Sequence, residues 1–400
     1  MGVDLPRVAF LSSRPAHGGS QEMLLQLAAG HAARGGHAHV LAPGAFEILE
    51  RARARGLPAT ALPLHEGLAA YGGALVRMPR WKLALRALRG GPPFVVRLAA
   101  WLRRERIDVL YVAEARAGLL ALPSARLVRV PLLLHAQGGP ADAALRLTRA
   151  VVLRADRVLA VSEAVREDLH ARLPTLDRGR TAVMYNGLPD QPPPPPRPPA
   201  DEVVALFLGR LSPEKGVHHL LDAVARLSPG AAGRLRLDVV GADPEGRYAA
   251  WLAERATQLG VADRVRFLGF RDDVPARLAA CDLVVCPSVE DEVVPLPGGA
   301  VHVQWREGFC LAAAEAMRTG RAVVASDTYG LREVVDHGHT GLRVPVGDVD
   351  ALADALEVLV ADPSRRVAFG QAGRRRFVER FTLDGMLDAF ERELAGMTGR

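Results

Sequence analysis

The segment Gly209–Gly216 reads Gly-Arg-Leu-Ser-Pro-Glu-Lys-Gly and places two cations between two glycines. Arg210 and Lys215 could meet the charges of a pyrophosphate, while backbone amides near the following helix donate to its oxygens. Only Lys82 and Lys215 are lysines among the 51 basic residues of the chain. A compact ammonium is not interchangeable with a guanidinium at a phosphate. The retained lysine therefore favours a phosphate-binding loop over a solvated turn with two surface cations.

Two glutamates flank a predicted helix start in the segment Glu307-Gly-Phe-Cys-Leu-Ala-Ala-Ala-Glu315. Residues 308–310 should form the N-terminus of this helix, where free amides and the positive end of the helix dipole can hold a phosphate or sugar hydroxyls. Glu307 lies just before the helix, where a carboxylate can accept hydrogen bonds from a polyol. The alternative is a glutamate that only complements the helix dipole.

The elements that carry these motifs follow one pattern in both halves of the chain. Arg7–Leu11 and Glu202–Leu208 are short apolar runs, each followed by a loop that contains glycines and then by a predicted helix, Ser20–Arg34 or Val217–Leu227. Strand, loop and helix in this order open a doubly wound parallel sheet. The repetition predicts two α/β domains.

The second half continues as short apolar strands with helices between them, which is typical of a parallel sheet covered on both faces. The predicted strands are Leu235–Val240, Val265–Leu268, Leu283–Cys286 and Ala322–Ala325, and the helices include Tyr248–Gln258 and Cys310–Arg318. The motifs then fall at the carboxyl ends of strands, which is the ligand-binding edge of an open α/β sheet. The proline-rich run 191–199 predicts an extended linker between the domains.

Composition limits the class of protein. With 49% hydrophobic and 24% charged residues, the chain should be globular. Its three cysteines, Cys281, Cys286 and Cys310, are odd in number and lack zinc-ligand spacing, so we expect a reducing compartment. No apolar run predicts a membrane span, and Val8–Leu11 is too short for a signal-peptide core. We expect a cytoplasmic protein, and its arginine-rich, lysine-poor composition indicates a GC-rich bacterial genome.

The series of motifs resembles the large retaining family 4 of the glycosyltransferases with the GT-B fold. The resemblance covers nearly all 400 residues and is strongest over Val203–Asp348, where G-R-L-x-x-E-K-G, E-G-F-x-L-x-x-x-E-A-M-x-x-G and E-V-V-x-x-x-x-T-G-L-x-V-P follow in order. The first half agrees more loosely, at Gly18-Gly19 with Glu22, at His135, at Val161-Ser-Glu163 and at Asn186-Gly187.

This resemblance implies two Rossmann-like, doubly wound domains that face each other across a cleft. Residues 1–190 would bind the acceptor, 191–199 would link the domains, 200–380 would bind the nucleotide sugar, and the helix in 381–400 would return to the first domain. The implied reaction moves a sugar from a nucleotide-diphosphate donor to an acceptor hydroxyl with retention of anomeric configuration. No metal and no cofactor beyond the donor are implied, because cationic side chains take the place of the metal.

The resemblance also implies roles for single residues. Arg210 and Lys215 would stabilise the leaving phosphate, with help from amides near Gly19. Glu307 would hold hydroxyls of the donor sugar, and His135 would lie close to the reacting sugar. The remaining predicted donor-binding residues are Phe270 and Arg271 at the base, Gly308, Phe309, Cys310 and Leu311 at the helix start, and Glu315 at the ribose.

Some residues depart from the family pattern. Residues 289–306 form an insertion next to the predicted site, either a lid or specificity element or a disordered excursion. Its acidic cluster 290–292 should be a solvated loop tip and not a metal site. Cys310 and Tyr329 replace glycines. Two alternatives stay open: a nucleotide-sugar epimerase on the same fold, and a silent or non-glycosidic relative that binds a nucleotide ligand.

The segment 75–106 contains nine basic residues and one acid. It predicts a pair of helices packed on the first sheet with solvated arginines, or else a basic amphipathic surface with Trp81 and Trp101 that contacts the inner face of a membrane. The same cations could meet an acidic acceptor. Nucleic acid is not an expected partner, because no reader helix or aromatic-basic sheet motif is found.

Overall fold

The computed structural model describes residues 5–15, 18–65, 68, 80–139, 145–195, 197, 200–243 and 245–399, with only the backbone described at 80, 81 and 83–89. The chain forms two compact units. The first comprises the chain up to Gly187 together with the segment that begins at Leu383, and the second is Leu188–Thr382. Each unit is an α/β domain built on its own parallel sheet.

The first unit contains a seven-stranded parallel sheet in the order β3-β2-β1-β4-β5-β6-β7. Its strands are β1 Arg7–Leu11, β2 His37–Ala42, β3 Ala59–Ala61, β4 Val109–Val112, β5 Leu132–Ala136, β6 Arg157–Ala160 and β7 Thr181–Val183. The helices described between them are α1 Gly19–Ala33, α2 Glu47–Ala54, α3 Arg80–Arg104, α4 Ala115–Val128, α5 Leu145–Val152 and α6 Glu163–Arg172. The central strands β1, β4 and β5 are mostly apolar because helices cover both faces of the sheet, with Arg7 and His135 as the polar exceptions.

The second unit contains a six-stranded parallel sheet in the order β10-β9-β8-β11-β14-β15. Its strands are β8 Val203–Leu208, β9 Leu235–Val240, β10 Val265–Gly269, β11 Leu283–Cys286, β14 Ala322–Ser326 and β15 Gly341–Val344. Its helices are α7 Val217–Ala225, α8 Pro229–Ala232, α9 Arg247–Gln258, α10 Val274–Ala280, α11 Leu311–Arg318, α12 Tyr329–Val334, α13 Val349–Ala361 and α14 Pro363–Arg380. The five strands predicted in this half are confirmed to within one residue at each end.

The insertion at 289–306 is an ordered β-hairpin, with β12 Asp291–Leu296 antiparallel to β13 Gly299–Gln304. Val294 on β12 and Val303 on β13 are buried on the inner face of the hairpin, where they pack with Val289 against Trp251 of α9. The sequence predicted that the acidic residues 290–292 form a solvated loop tip, and this prediction was wrong for Glu290 and Glu292. Because side chains alternate along a strand, Asp291 faces solvent, whereas Glu290 bonds to Thr328 and Glu292 to the helix α7.

The proline-rich run lies against the second unit in its described part. Residues 191–195 belong to no helix or strand, and the Arg197 guanidinium pairs with Asp282, the residue before β11. Arg321 donates to the carbonyl of Pro195 over 3.5 Å. The run is therefore anchored by arginine contacts to one unit.

The basic segment forms one helix, α3, where a pair was predicted. It continues through Pro92 and Pro93 because the apolar side chains that follow, Phe94 and Trp101 among them, are buried in the first unit. The Trp101 ring packs edge-on against His39, with 4.7 Å between centroids. Residues 75–79 and the side chain of Trp81 lie outside the described structure. Among the described residues, no helix is both long and apolar enough to cross a membrane.

The last helix, α15 (Leu383–Thr398), packs on α1 of the first unit. The Phe390 ring lies 6.0 Å from Phe10 and 5.8 Å from Tyr111, and none of the three rings is exposed. Gly30 of α1 leaves room for Leu387, since a Cβ at Gly30 would come within 2.5 Å of that side chain. The chain thus ends inside the unit in which it begins.

Candidate active site

In the sheet of the second unit, the order in which the chain adds strands reverses between β8 and β11. From β8 the chain adds β9 and β10 on one side, then returns to place β11 and β14 on the other. Loops that follow the strands on either side of such a switch point diverge and leave a crevice for a ligand. The loop 209–216 follows β8, and Pro287 and Ser288 follow β11.

These two loops are in backbone contact at Gly216. Gly216 has a φ of +67°, and a Cβ there would lie 1.9 Å from the carbonyl oxygen of Pro287. The amide of Val289 also donates to the carbonyl of Glu214 over 3.1 Å. Only glycine allows the left-handed backbone and the close approach together. The contact fixes the position of Lys215, which lies in the 3-10 turn Pro213–Lys215.

Lys215 and Glu307 form an ion pair at this edge. The Lys215 ammonium donates to Oε2 of Glu307, and Ser288 Oγ donates to the same oxygen over 3.1 Å. Glu307 is only 6% exposed. Burial by itself would raise the pKa of Glu307, but the Lys215 charge and these hydrogen bonds hold the pKa below its usual value. Burial likewise opposes the charge of Lys215, and the Glu307 carboxylate outweighs it and raises the lysine pKa.

Glu307 is held by its backbone as well as by its side chain. Its carbonyl accepts from the Gly330 amide over 3.0 Å, and a Cβ at Gly330 would lie 1.9 Å from the Gly308 carbonyl oxygen. Cys310 caps the helix α11 with a φ of +66°. The departure from glycine at Cys310 thus occurs where the backbone needs a left-handed residue. The first amides of α11 have no partner within the helix and face this side of the sheet.

The other predicted donor-binding residues of the second unit lie near the same sheet edge. They differ in how exposed their side chains are and in their hydrogen-bond partners. Arg210 is 57% exposed and pairs with Glu214 at 2.9 Å. Glu315 is half-buried on α11. Phe270 follows β10 and is 73% exposed. Arg271 donates twice to Asp273, at 2.8 and 3.0 Å, and the hydrogen bonds from Arg271 and Arg277 hold the Asp273 pKa well below its usual range.

The first unit contains the other predicted residues. Gly19 is the first residue of α1. His135 lies on β5 with no exposed surface, its Nδ1 2.8 Å from the Tyr111 hydroxyl and its Nε2 3.2 Å from the Met184 carbonyl. Burial lowers the His135 pKa to about 4, so the ring is neutral. Both ring nitrogens face protein groups, and the expectation that His135 lies close to a reacting sugar stays a prediction.

One group of polar residues at the switch point of the first unit was not predicted. Glu114 follows β4, and its carboxylate accepts from Ser12 Oγ at 2.8 Å and from Ser13 Oγ at 2.6 Å, just after β1. Both serines are fully buried. The position of Glu114 two residues after an apolar run was the available signal. The group ties the β1 and β4 loops of that unit together.

Two family models match the chain, one for each half. Residues 17–191 match the model described as glycosyltransferase family 4, and residues 192–376 match the one described as glycosyl transferases group 1. Together with the two α/β domains, these matches show that the chain belongs to glycosyltransferase family 4 and has the GT-B fold.

Individual relatives are similar to this chain over different shares of their length. The chain is 33% identical to the alpha-maltose-1-phosphate synthase of Mycolicibacterium smegmatis over 268 residues, which are 61% of this chain and 64% of that protein. It is 29% identical to the phosphatidyl-myo-inositol mannosyltransferase of Mycobacterium leprae over 381 residues, 90% of this chain and 89% of that protein. The chain spans less than two thirds of the first relative and about half of some others that match.

A solved structure agrees in fold over the whole length. The structure of Anabaena HepE in complex with UDP-glucose has a TM-score of 0.78 and 23% identity, and the match covers 98% of this chain and 100% of that one. At this identity the similarity concerns the fold.

Proposed function

We propose that this protein transfers a hexose from a nucleoside-diphosphate sugar to an acceptor hydroxyl, with retention of anomeric configuration. The observation that carries the proposal is the buried Lys215–Glu307 pair at the switch point of the second sheet. The UDP-glucose bound by HepE, which shares the fold, supports a ligand of this class.

In this proposal the second unit binds the donor. The diphosphate lies over the loop 209–216, where Lys215 and Arg210 offer positive charge and the first amides of α11 offer donors. Lys215 is the better placed of the two, because its ammonium is already fixed by Glu307, whereas Arg210 is exposed and can swing towards a phosphate. As the bond to the sugar breaks, negative charge grows on the leaving phosphate, and fixed cations stabilise it without reorganisation.

Glu307 has a second task in the proposal. Its Oε2 accepts from Lys215 and Ser288, and the Trp305 side chain also lies against the carboxylate, which has lone pairs left on the other oxygen for a hydroxyl of the donor sugar. Because Lys215 keeps Glu307 ionised, the carboxylate acts as an acceptor and not as an acid. The exposed Phe270 ring offers a face for the nucleobase. The predicted roles of Gly19, Arg271, Leu311 and Glu315 remain part of the same proposal.

Transfer would need no metal at the diphosphate, since two cations occupy the place that a metal would take. We assign the reaction to the cytoplasm. The acceptor is left open, but the exposed Arg97, Arg103 and Arg104 on α3 suit an anionic one. Any contact of α3 with a membrane would rest on such arginines, because Trp101 is buried. Phosphatidyl-myo-inositol, named for the Mycobacterium leprae relative, is the first acceptor to try.

The donor site is tested by a thermal-shift and hydrolysis panel of UDP-, GDP-, ADP- and dTDP-sugars. We expect one donor to raise the melting temperature of the wild type and to release nucleotide slowly. Lys215→Ala leaves Glu307 buried without its partner, so the double variant Lys215→Met with Glu307→Gln is included to remove both charges together. Both variants should lose the shift and the release.

Lys82→Ala is the matched control, since Lys82 is the other lysine of the chain and is exposed. It should behave as the wild type. If no nucleotide sugar shifts the melting temperature of the folded wild type, the proposal fails. Conversion of the donor to its epimer without acceptor would identify an epimerase, and the anomeric configuration of a transferred product, read by NMR, tests retention.

A further inference from the structure

Two histidines and a glutamate meet where the inserted hairpin touches the second unit. His218 and His219 begin the helix α7, directly after the loop 209–216, and Glu292 lies on β12 of the hairpin. His219 Nε2 is 2.9 Å from Glu292 Oε2, and His218 Nε2 is 3.3 Å from Glu292 Oε1. One ligand atom from each residue lies within 4.8 Å of the other two. The sequence did not predict this cluster, because more than 70 residues separate Glu292 from the histidines.

The spacing suits a zinc ion. Tetrahedral zinc with bonds of about 2.0–2.2 Å to nitrogen and oxygen keeps its ligand atoms about 3.3 Å apart. The 3.3 Å separation between His218 Nε2 and Glu292 Oε1 matches that value, and the 2.9 Å separation between His219 Nε2 and Glu292 Oε2 would open by a few tenths of an ångström when the ion binds. Two imidazoles and one carboxylate are ligands that zinc prefers, and a water completes the fourth position in sites with three protein ligands.

The surroundings of the cluster also suit a metal. His218 Nδ1 lies 2.7 Å from the Tyr248 hydroxyl, whose oxygen can accept a hydrogen bond from Nδ1–H once Nε2 binds the ion. His218 and His219 are 5% and 15% exposed, which keeps their orientation fixed. Glu292 is 28% exposed and leaves an entry path from solvent.

We propose that His218, His219 and Glu292 bind a zinc ion that holds the inserted hairpin against α7, the helix that follows the loop 209–216. This inference does not depend on glycosyl transfer. A zinc ion here would join α7, which starts two residues after Lys215, to a hairpin whose base carries Glu290 and Trp305. The ion would hold the hairpin in place and would not stabilise charge at the diphosphate.

The test uses the full chain without a histidine tag, stripped with EDTA and titrated with Co²⁺ and then with Zn²⁺. We expect the visible absorption of tetrahedral Co²⁺ at one ion per chain, its displacement by Zn²⁺, and a rise in melting temperature with Zn²⁺. His219→Gln and Glu292→Gln should each weaken binding more than ten-fold. Tyr248→Phe removes the hydroxyl that contacts His218 Nδ1 and, at 3.4 Å, the His218 amide, and should weaken binding by roughly ten-fold.

His302→Gln is the control, because His302 pairs with Asp291 on the exposed face of the same hairpin, at 2.5 Å. It should bind as the wild type. The proposal is overturned if the wild type binds neither ion more tightly than about 100 μM, or if binding survives in both His219→Gln and Glu292→Gln. Loss of binding in His302→Gln alone would place the ion elsewhere on the hairpin and would also overturn it. If Glu292→Gln does not fold, Tyr248→Phe still separates the outcomes.

Discussion

Gly216 is the residue at which the two loops of the proposed donor site meet. Alanine there would bring its Cβ within 1.9 Å of the Pro287 oxygen and would have to adopt a φ of +67°. Each penalty is of the order of 1–3 kcal/mol, so we expect Gly216→Ala to lose about 3 kcal/mol or more of the unfolding free energy. Urea denaturation measures the change. Gly230→Ala is the control, since nothing lies within 4 Å of its Cβ, and equal stability of the two variants would contradict the prediction.

His135 should make the stability of the first unit depend on pH. Burial lowers its pKa to about 4 in the folded state, against an ordinary value near 6.5 in the unfolded chain. Between these values the unfolded state binds the proton and the folded state does not, so stability is complete above pH 6.5 and falls as the pH drops towards 4. The loss from this group reaches about 3 kcal/mol at most.

The contribution of His135 is separated by comparison with His135→Gln, which cannot be protonated. His39, whose pKa burial also lowers to about 4, titrates in both chains and cancels in the difference. We expect a shallower slope of unfolding free energy against pH in the variant. Parallel slopes for the two chains would show that His135 is not the buried neutral ring described here.

At the scale of elements, local sequence predicted the sheets well. Leu235–Val240 and Leu283–Cys286 are strands at the predicted residues. A strand buried on both faces is mostly apolar, and Leu283–Cys286 is apolar throughout, whereas the buried Asp238 in Leu235–Val240 is paired with Arg266. The same strand pattern predicted that the motifs lie at the carboxyl edge of the second sheet. Lys215 and Glu307 were predicted to serve one site, and their direct pairing was not, because it depends on 92 residues of intervening chain.

The hairpin shows why other elements were not predicted. Its strands alternate only in part, with Pro295 inside β12, and the expectation of a loop overlooked the turn at Gly298 and Gly299. What holds the hairpin is tertiary, namely the burial of Val294 against Trp251 and the contact of Glu292 with His219. None of these contacts can be read from residue spacing.

Removal of the hairpin should leave the proposed donor site largely intact. Its ends meet, since the Trp305 amide donates to the Glu290 carbonyl over 2.7 Å, so Gly-Gly can replace 291–304 without strain. Lys215, Ser288 and Glu307 keep their contacts, and we expect the donor Kd to change by less than about ten-fold. The melting temperature should fall, because Trp251 loses its apolar cover. A folded deletion variant that no longer binds donor would make the hairpin part of the donor site.

At the scale of the whole molecule, the last helix joins the beginning and the end of the chain in one unit. α15 contributes Met386, Leu387, Phe390 and Leu394 to the core of the first unit, and each is nearly or fully buried. At roughly 2 kcal/mol for each buried side chain, the helix contributes roughly 8 kcal/mol, which is comparable to the whole stability of a domain. The second unit is formed by a single continuous segment, Leu188–Thr382, and contains none of these residues.

Phe390→Asp should therefore unfold the first unit and spare the second. The Phe390 ring packs on Phe10 and Tyr111, and a carboxylate in its place would be buried without a partner, at a cost above about 5 kcal/mol. We expect calorimetry to show one of two transitions lost or moved to a much lower temperature, while the shift caused by the donor nucleotide persists on the other. Gly396→Asp, on the exposed side of the same helix, should change neither transition. If both transitions fell together in Phe390→Asp, the second unit would depend on the first for its folding, and donor binding would have to be studied only in the intact chain.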